Sequence, residues 1–275
     1  MRLKRIALIL KMQIKLHRKY CKIIICNILI MKASEKIIFI SNWIKNYVES
    51  MPSKAQSLVI GISGGIDSSV SSALSAMTGI KTIVLSMPIR QKSNQHDLSL
   101  KHQDWLVKKF KNVEAHTINL DDLFQSFTST LSKFNSEHGM ANSRARLRMT
   151  TLYQVAAANK GIVVGTGNKV EDFGVGFYTK YGDGGVDISP IADCNKTEVW
   201  ELGKELGILK EIIDAAPTDG LWDDARTDEG QLGLKYEELE EAMENPNSLN
   251  RVKYESIRKQ NLHKMEPIPV CKIPN

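Results

Sequence analysis

The residues that could do chemistry in this chain are concentrated in one short turn. Leu58-Val59-Ile60-Gly61-Ile62 is an apolar run that gives way to Ser63-Gly64-Gly65-Ile66-Asp67-Ser68 and then continues as small and apolar residues to Met77. The run reads as a buried parallel strand, and Ser68 to Met77 as a helix packed on a sheet. Between them, Ser63, Gly64 and Gly65 put no bulk between an anion and the backbone N–H groups. The following helix offers its unpaired N–H groups and positive dipole end to phosphate. Gly61, Ile62, Ser63, Gly64, Gly65, Ile66, Asp67 and Ser68 are therefore the candidate phosphate-binding stretch. The common ATPase loop needs a lysine directly before its hydroxyl residue, and here Asp67 precedes Ser68. A carboxylate repels phosphate unless it holds a divalent cation shared with the phosphate oxygens. On spacing alone, a Gly/Ser-rich strand-to-helix turn with Asp as a helix-start residue explains the stretch equally well.

The elements that must position this turn follow from periodicity. Ile37, Ile38, Ile40, Trp43, Ile44, Tyr47 and Val48 recur at helical spacing, so residues 33–50 are expected to form an amphipathic helix. Strands are expected at Lys81 to Met87, Val113 to Leu120 and Gly161 to Thr166, and helices at Gln95 to Phe110, Asp121 to Phe134 and Asn142 to Asn159. This alternation calls for an α/β fold: a parallel sheet with right-handed crossovers and helices on both faces, with ligands outside the carboxyl ends of the strands. Beyond Pro190 the pattern predicts helices at Lys196 to Leu206, Tyr236 to Glu244 and Leu249 to Lys264. A polar loop from Ala216 to Leu232, containing Trp222, is expected to act as a lid. His96 and His102 read as solvent-facing, and Lys196, at a helix start, reads as exposed. Asn195 beside it is expected to loosen that start.

Of 275 residues, 42% are hydrophobic and 25% charged, the composition of an ordinary globular protein, and the formal charge is +6. Residues 1–30 hold eight basic residues and no acid, so residues 31–275 carry −2, which argues against a nucleic-acid partner. The apolar runs of that first segment are too short to span a bilayer, and no membrane association is expected. Residues 1–30 read as a dispensable basic extension with Met31 as the natural start, a surface-binding amphipathic arm being the rival reading. The four cysteines show no Cys-x-x-Cys pair, which points to a reducing cytoplasm and against a structural zinc site.

The string Ser63-Gly64-Gly65-Ile66-Asp67-Ser68 resembles the pyrophosphate loop of ATP-pyrophosphatases. Three further stretches follow in order: Ala145-Arg146-Leu147-Arg148-Met149, Val164-Gly165-Thr166-Gly167-Asn168-Lys169-Val170-Glu171, and Thr179-Lys180-Tyr181-Gly182-Asp183-Gly184-Gly185-Val186-Asp187. Together they resemble the ammonia-dependent NAD synthetases from about residue 33 to the C-terminus. The resemblance implies a Rossmann-like, adenine nucleotide α-hydrolase-like fold over residues 31–275, with extra helices at the termini. It implies adenylation of deamido-NAD by ATP and its amidation to NAD by ammonia, since no amidotransferase part accompanies the synthetase part. It assigns Gly61 to Ser68, Thr166, Lys196 and Thr218 to ATP, Asp67 and Glu171 to Mg2+, and Asp67 and Lys196 to catalysis. It assigns Arg146, Lys180, Asp187, His263 and Lys264 to deamido-NAD, and implies a homodimer in which residues 33–50 and 142–159 supply apolar contact. Asp183 reads equally as a turn residue or a ligand, and which acid of the Trp222 loop assists ammonia is left open. The Glu171 to Lys180 spacing is one residue longer than in some family members. The competing readings are another ATP-pyrophosphatase, of the GMP-synthetase-like or tRNA-modifying kind, and a non-catalytic nucleotide-binding module.

Overall fold

The computed structural model of the chain describes residues 31–90, 93–218 and 227–274. The basic extension at residues 1–30 and Trp222 therefore lie outside the described residues. Four strands, β1 (Ser57–Gly61), β2 (Lys81–Ser86), β3 (Val113–Thr117) and β4 (Gly161–Val163), form one parallel sheet in the order β3-β2-β1-β4. Alternation along β1 serves both faces. Leu58 and Ile60 point into one core, and Val59 into the other.

The first face is covered by α1 (Ala33–Ser50), α2 (Ile66–Met77) and α6 (Lys196–Leu206), through Ile40, Ile44, Val70, Leu74, Val199 and Leu202. Gly203 makes the contact of α6 with α2 possible: a Cβ there would stand 2.6 Å from Ile66 Cδ1. Helices α4 (Asp121–Thr130) and α5 (Glu137–Ala158) close the other face with Phe124, Leu152 and Ala156. A third apolar cluster joins a π-helical turn (Lys169–Val175) to α9 (Tyr236–Glu244) and α10 (Arg251–Met265) through Val170, Val175, Tyr236, Leu239 and Tyr254. A short helix α7 (Lys210–Ile213) precedes the polar segment expected to be a lid loop, and that expectation is corrected at its end, where Asp228–Leu232 form a short helix α8 capped by Thr227; residues 219–226 are outside the description.

Four more expectations are corrected. Helix α5 starts at Glu137 rather than Asn142, because Ser136 caps it by accepting a hydrogen bond from the Gly139 N–H at 3.2 Å. His102, on α3 (Ser93–Lys109), is fully buried, because the serine-rich face of α2 leaves room for its ring. Its Nε2 lies 3.0 Å from Ser72 Oγ and the ring stacks on Trp105 at 5.4 Å. Burial pushes the imidazole down to about 4. His96 is half-buried, with Nδ1 3.4 Å from Ser86 Oγ. Asn195 does not loosen α6: its N–H donates to Glu198 Oε2 at 2.8 Å, one arm of a capping box.

Candidate active site

The turn after β1 is held in shape by its own serines. Gly64 adopts φ +90°, a conformation that disfavours a side chain. Ser63 Oγ accepts from the Gly65 N–H at 3.2 Å and lies 3.0 Å from Ser68 Oγ, while Ser68 and Ser69 donate to the Gly65 carbonyl at 3.0 and 2.9 Å. The loop is thus preformed at the start of α2, where N–H groups are unpaired.

Because β4 lies next to β1, the turn that follows β4 faces this loop. Asn168 links them: its Nδ2 donates to Asp67 Oδ1 at 3.0 Å, and its Oδ1 accepts from the Val170 and Glu171 N–H groups, both at 3.0 Å. Asp67 and Glu171 then converge on one cation, Lys196. Its Nζ stands 2.6 Å from Asp67 Oδ2 and 2.8 Å from Glu171 Oε1, on a side chain only 2% exposed. The expectation of an exposed Lys196 is therefore corrected. The first turn of α6 is buried against α2, and two carboxylates receive the ammonium. Burial raises Asp67 against the opposing pull of Lys196. Burial also works against ionised Glu171, but there Lys196 prevails and holds the carboxyl below its ordinary range. Burial disfavours the ammonium as well, and the two carboxylates outweigh it and raise Lys196.

Tyr236 completes this group from α9. Its hydroxyl donates to Glu171 Oε1 at 2.6 Å and lies 3.2 Å from Asp228 Oδ2, and Lys196 Nζ stands 4.9 Å from the centre of its ring. Burial raises its hydroxyl far above the usual range.

Around these residues lies a cavity of about 270 Å³. Gly61, Ile62, Ser63, Gly64, Gly65, Ile66, Asp67, Ser68, Thr166, Glu171, Lys196 and Thr218 all line it, so every residue expected at ATP or metal is brought to one place. The residues expected at the dinucleotide do not line this cavity. Arg146, exposed, donates through Nε to the Lys180 carbonyl at 3.3 Å, and Lys180 Nζ donates to the His263 carbonyl at 2.9 Å. Lys264 Nζ donates to the Tyr178 carbonyl at 2.8 Å. Asp187 accepts from the Val163 N–H at 2.7 Å and from the Tyr153 hydroxyl at 3.1 Å, which ties it to the end of β4.

The cavity also takes residues whose role the sequence left unsettled. Arg148 lines it and donates through Nε to the Met87 carbonyl at 3.0 Å, and burial pushes its guanidinium down to about 10. Asp172 and Asp183 line it too. Burial raises Asp172, and Asp183, Glu171 and Asp67 push it the same way. Desolvation pushes Asp183 up to about 6, although its outer surface remains open and Oδ1 accepts from the Thr179 N–H at 2.9 Å. Asp183 is thus both the turn residue and a cavity residue. The signal for Asp172 was the longer Glu171 to Lys180 spacing, whereas Tyr236 showed only as the start of a helix.

Among the described residues no group of three His, Cys, Asp or Glu could hold a metal. Asp67 and Glu171 nonetheless fit magnesium. They are hard oxygen donors aimed at one point, that point already takes a positive charge, and magnesium is commonly held by one or two carboxylates plus water and substrate phosphate.

The family model described as NAD synthase matches residues 37–273. The chain is 36% identical over 212 residues to the NH(3)-dependent NAD(+) synthetase of Carboxydothermus hydrogenoformans, covering 75% of this chain and 82% of that one. It is 36% identical over 227 residues to the protein of the same name from Finegoldia magna, covering 82% and 90%. Among solved structures, NMN synthetase from Francisella tularensis superposes with a TM-score of 0.81 at 31% identity, covering 89% of this chain and all of that one.

Proposed function

The chain belongs to the NAD synthase family, and from that premise we propose that its cavity performs the ATP-dependent amidation of deamido-NAD by ammonia, giving NAD, AMP and pyrophosphate. The observation that carries this reading is the convergence of Asp67 and Glu171 on Lys196 beside a preformed phosphate loop. A carboxylate is a poor electrophile. The first step therefore joins a nicotinate carboxylate oxygen to the α-phosphorus of ATP, and pyrophosphate leaves with the electron pair of the broken P–O bond. The loop N–H groups, Ser63 and Ser68 hold that leaving group, and Lys196 carries charge at its side. Magnesium would be held by Asp67 and Glu171 and, when bound, would supply charge neutralisation on the phosphates. Ammonia then forms the C–N bond as AMP departs with the C–O electron pair, and the lid segment excludes water from the reactive anhydride. Thr166 and Thr218 contact ATP from the walls of the cavity.

Arg146, Lys180, Asp187, His263 and Lys264 hold the dinucleotide in this reading, on a surface beside the cavity. A homodimer follows from it, with α1 as contact: Ile38 and Phe39 are 59% and 61% exposed there, and Trp43 packs on Tyr47 at 5.8 Å. Gel filtration that finds an active monomer overturns the dimer. No helix among the described residues is long and apolar enough to cross a membrane. A cytoplasmic location of the enzyme belongs to the proposal, because ATP and the pyridine nucleotide are reactants of the cell interior. Residues 31–275 are its working domain, which expression from Met31 tests against expression from Met1.

A second reading is favoured by one observation, the likeness to NMN synthetase at a TM-score of 0.81. In it the acceptor is nicotinate mononucleotide, with the same adenylation. The test is release of pyrophosphate from ATP with deamido-NAD, with nicotinate mononucleotide and with neither. No release above background with either acceptor refutes both readings in favour of a nucleotide-binding module, and preference for the mononucleotide selects the second.

A further inference from the structure

Helix α5 turns one face to the cavity. Ala145, Arg148, Met149 and Leu152 line it, spaced by three, four and seven residues as one helical face requires. Three are apolar, and Arg148 alone is charged. Glycines let the walls approach this face closely: a Cβ at Gly182 would stand 2.8 Å from Ala145 Cβ, and one at Gly185 3.0 Å from Met149 Cγ. Arg148 is half-buried there, and its Nε donates to the Met87 carbonyl at 3.0 Å, just past the end of β2. Its Nη1 and Nη2 make no hydrogen bond to a described residue, and neither is shut off from the open space of the cavity.

Among the described residues lining the cavity, the cationic side chains are Lys196 and Arg148. Lys196 is held by Asp67 and Glu171 at 2.6 and 2.8 Å. Arg148 has no carboxylate in contact among the described residues. Asp183 favours its charge through space, while burial and Arg144, one turn earlier, act against it. It is therefore the cavity cation left for an incoming anion. A guanidinium presents parallel N–H groups in one plane, a fork that the oxygens of phosphate match.

The strand order narrows the choice of phosphate. β2 and β4 flank β1 on opposite sides, so the loop after β1 has Met87 and Arg148 on its β2 side, and Glu171 with Lys196 on its β4 side. In the amidation reading, on which this inference rests, the loop N–H groups and the β4 side take the pyrophosphate end. We propose that Arg148 holds the adenylyl phosphate, which is the α-phosphate of ATP, then the phosphate of the acyl-adenylate, and finally that of AMP. In the second step the ammonia nitrogen bonds to the acyl carbon and gives up a proton to water, and the C–O electron pair ends on the phosphate oxygen of AMP. The negative charge of that phosphate rises by one as the bond breaks. A fixed cation beside it stabilises the departing group more than the intact anhydride.

The test is isothermal titration calorimetry of AMP and of adenosine, in EDTA so that no metal bridges the phosphate, on the unmodified enzyme and on Arg148→Met. The two ligands differ by the phosphate alone. Loss of a charge-assisted contact predicts an AMP affinity lower by about tenfold to a hundredfold, with the adenosine affinity changed less than about twofold. Arg148→Lys is the second variant. It keeps the charge without the fork, shows a smaller fall in the same direction, and carries the comparison if the methionine variant does not fold. An AMP affinity unchanged in both variants overturns the proposal. So does an equal fall for AMP and adenosine, which assigns Arg148 to the base or to the fold, and so does a fall confined to the pyridine nucleotide, which assigns it to the nicotinate carboxylate. Substrate-dependent pyrophosphate release by the unmodified enzyme is measured alongside. Its absence refutes the amidation reading and this inference with it, whereas its presence with an unmoved AMP affinity refutes the role of Arg148 alone.

Discussion

Replacing Lys196 by Met removes the cation on which two buried carboxylates depend, and the structure gives the size of the effect. Lys196 Nζ contacts Asp67 and Glu171 at 2.6 and 2.8 Å from a side chain 2% exposed, so the two acids are left facing each other without a counter-charge. Breaking a buried pair in this way costs about 3–5 kcal/mol. For a chain of this size that lowers the melting temperature by about 10 °C. The sign with pH follows. Without the ammonium both carboxyls titrate above their unfolded values, so they stabilise the fold when protonated and that contribution is lost as pH rises. The deficit relative to the unmodified enzyme is therefore smaller near pH 4 and larger near pH 7. Magnesium, which Asp67 and Glu171 would hold, is expected to return about 2.7 kcal/mol at about a hundred times its Kd. The unmodified enzyme gains less, because its own ammonium competes. The assay is thermal unfolding by circular dichroism in EDTA and in magnesium chloride. A variant as stable as the parent in EDTA, or one that magnesium fails to stabilise more than the parent, would falsify the shared-cation reasoning.

Three further outcomes are expected. Burial holds His102 at about 4, so its neutral form stabilises the fold above pH 6.5 and the contribution, about 3 kcal/mol, is lost as pH falls from 6.5 towards 4. Urea unfolding of His102→Gln should show a flatter stability profile across that window, and an unchanged slope refutes the assignment. Tyr236→Phe deletes the hydroxyl at 2.6 Å from Glu171 and should cost about 2 kcal/mol in denaturant titrations, with a change under about 0.5 kcal/mol counting against it. Gly203→Ala puts a Cβ 2.6 Å from Ile66 Cδ1 and should destabilise by about 1–3 kcal/mol, because α6 and α2 have to part. A variant as stable as the parent means that the contact is looser than described.

The strand, turn and helix around Asp67 were legible because each rests on local pattern: an apolar run, glycines that admit an anion, small residues that pack on a sheet. The pairing of Asp67 with Glu171 needed the resemblance, since nothing local says that β4 lies beside β1. Position alone made Lys196 read as exposed and only the resemblance put it at ATP, because burial of a helix start depends on what packs over it, and here α2 and Tyr236 do. For Arg146 and Arg148 the geometry was available in principle. Two residues apart on a helix are about 200° apart, so only one of the two can face the cavity, and it is Arg148. His102 was misjudged because the polar face of α3 meets the serines of α2, which admit a polar ring into the interior.

The strand order has a consequence for synthesis. β1 lies between β2 and β4, so while the chain emerges from the ribosome Ser57, Leu58 and Val59 keep one edge unpaired until residues 161–163 arrive about a hundred residues later. Through that interval the nascent protein displays an apolar strand edge of the kind that recruits other chains. The serine-stapled loop at its end exists before its partner turn does. The second carboxylate reaches the loop only when the last strand docks, and Lys196 and Thr218 follow later still.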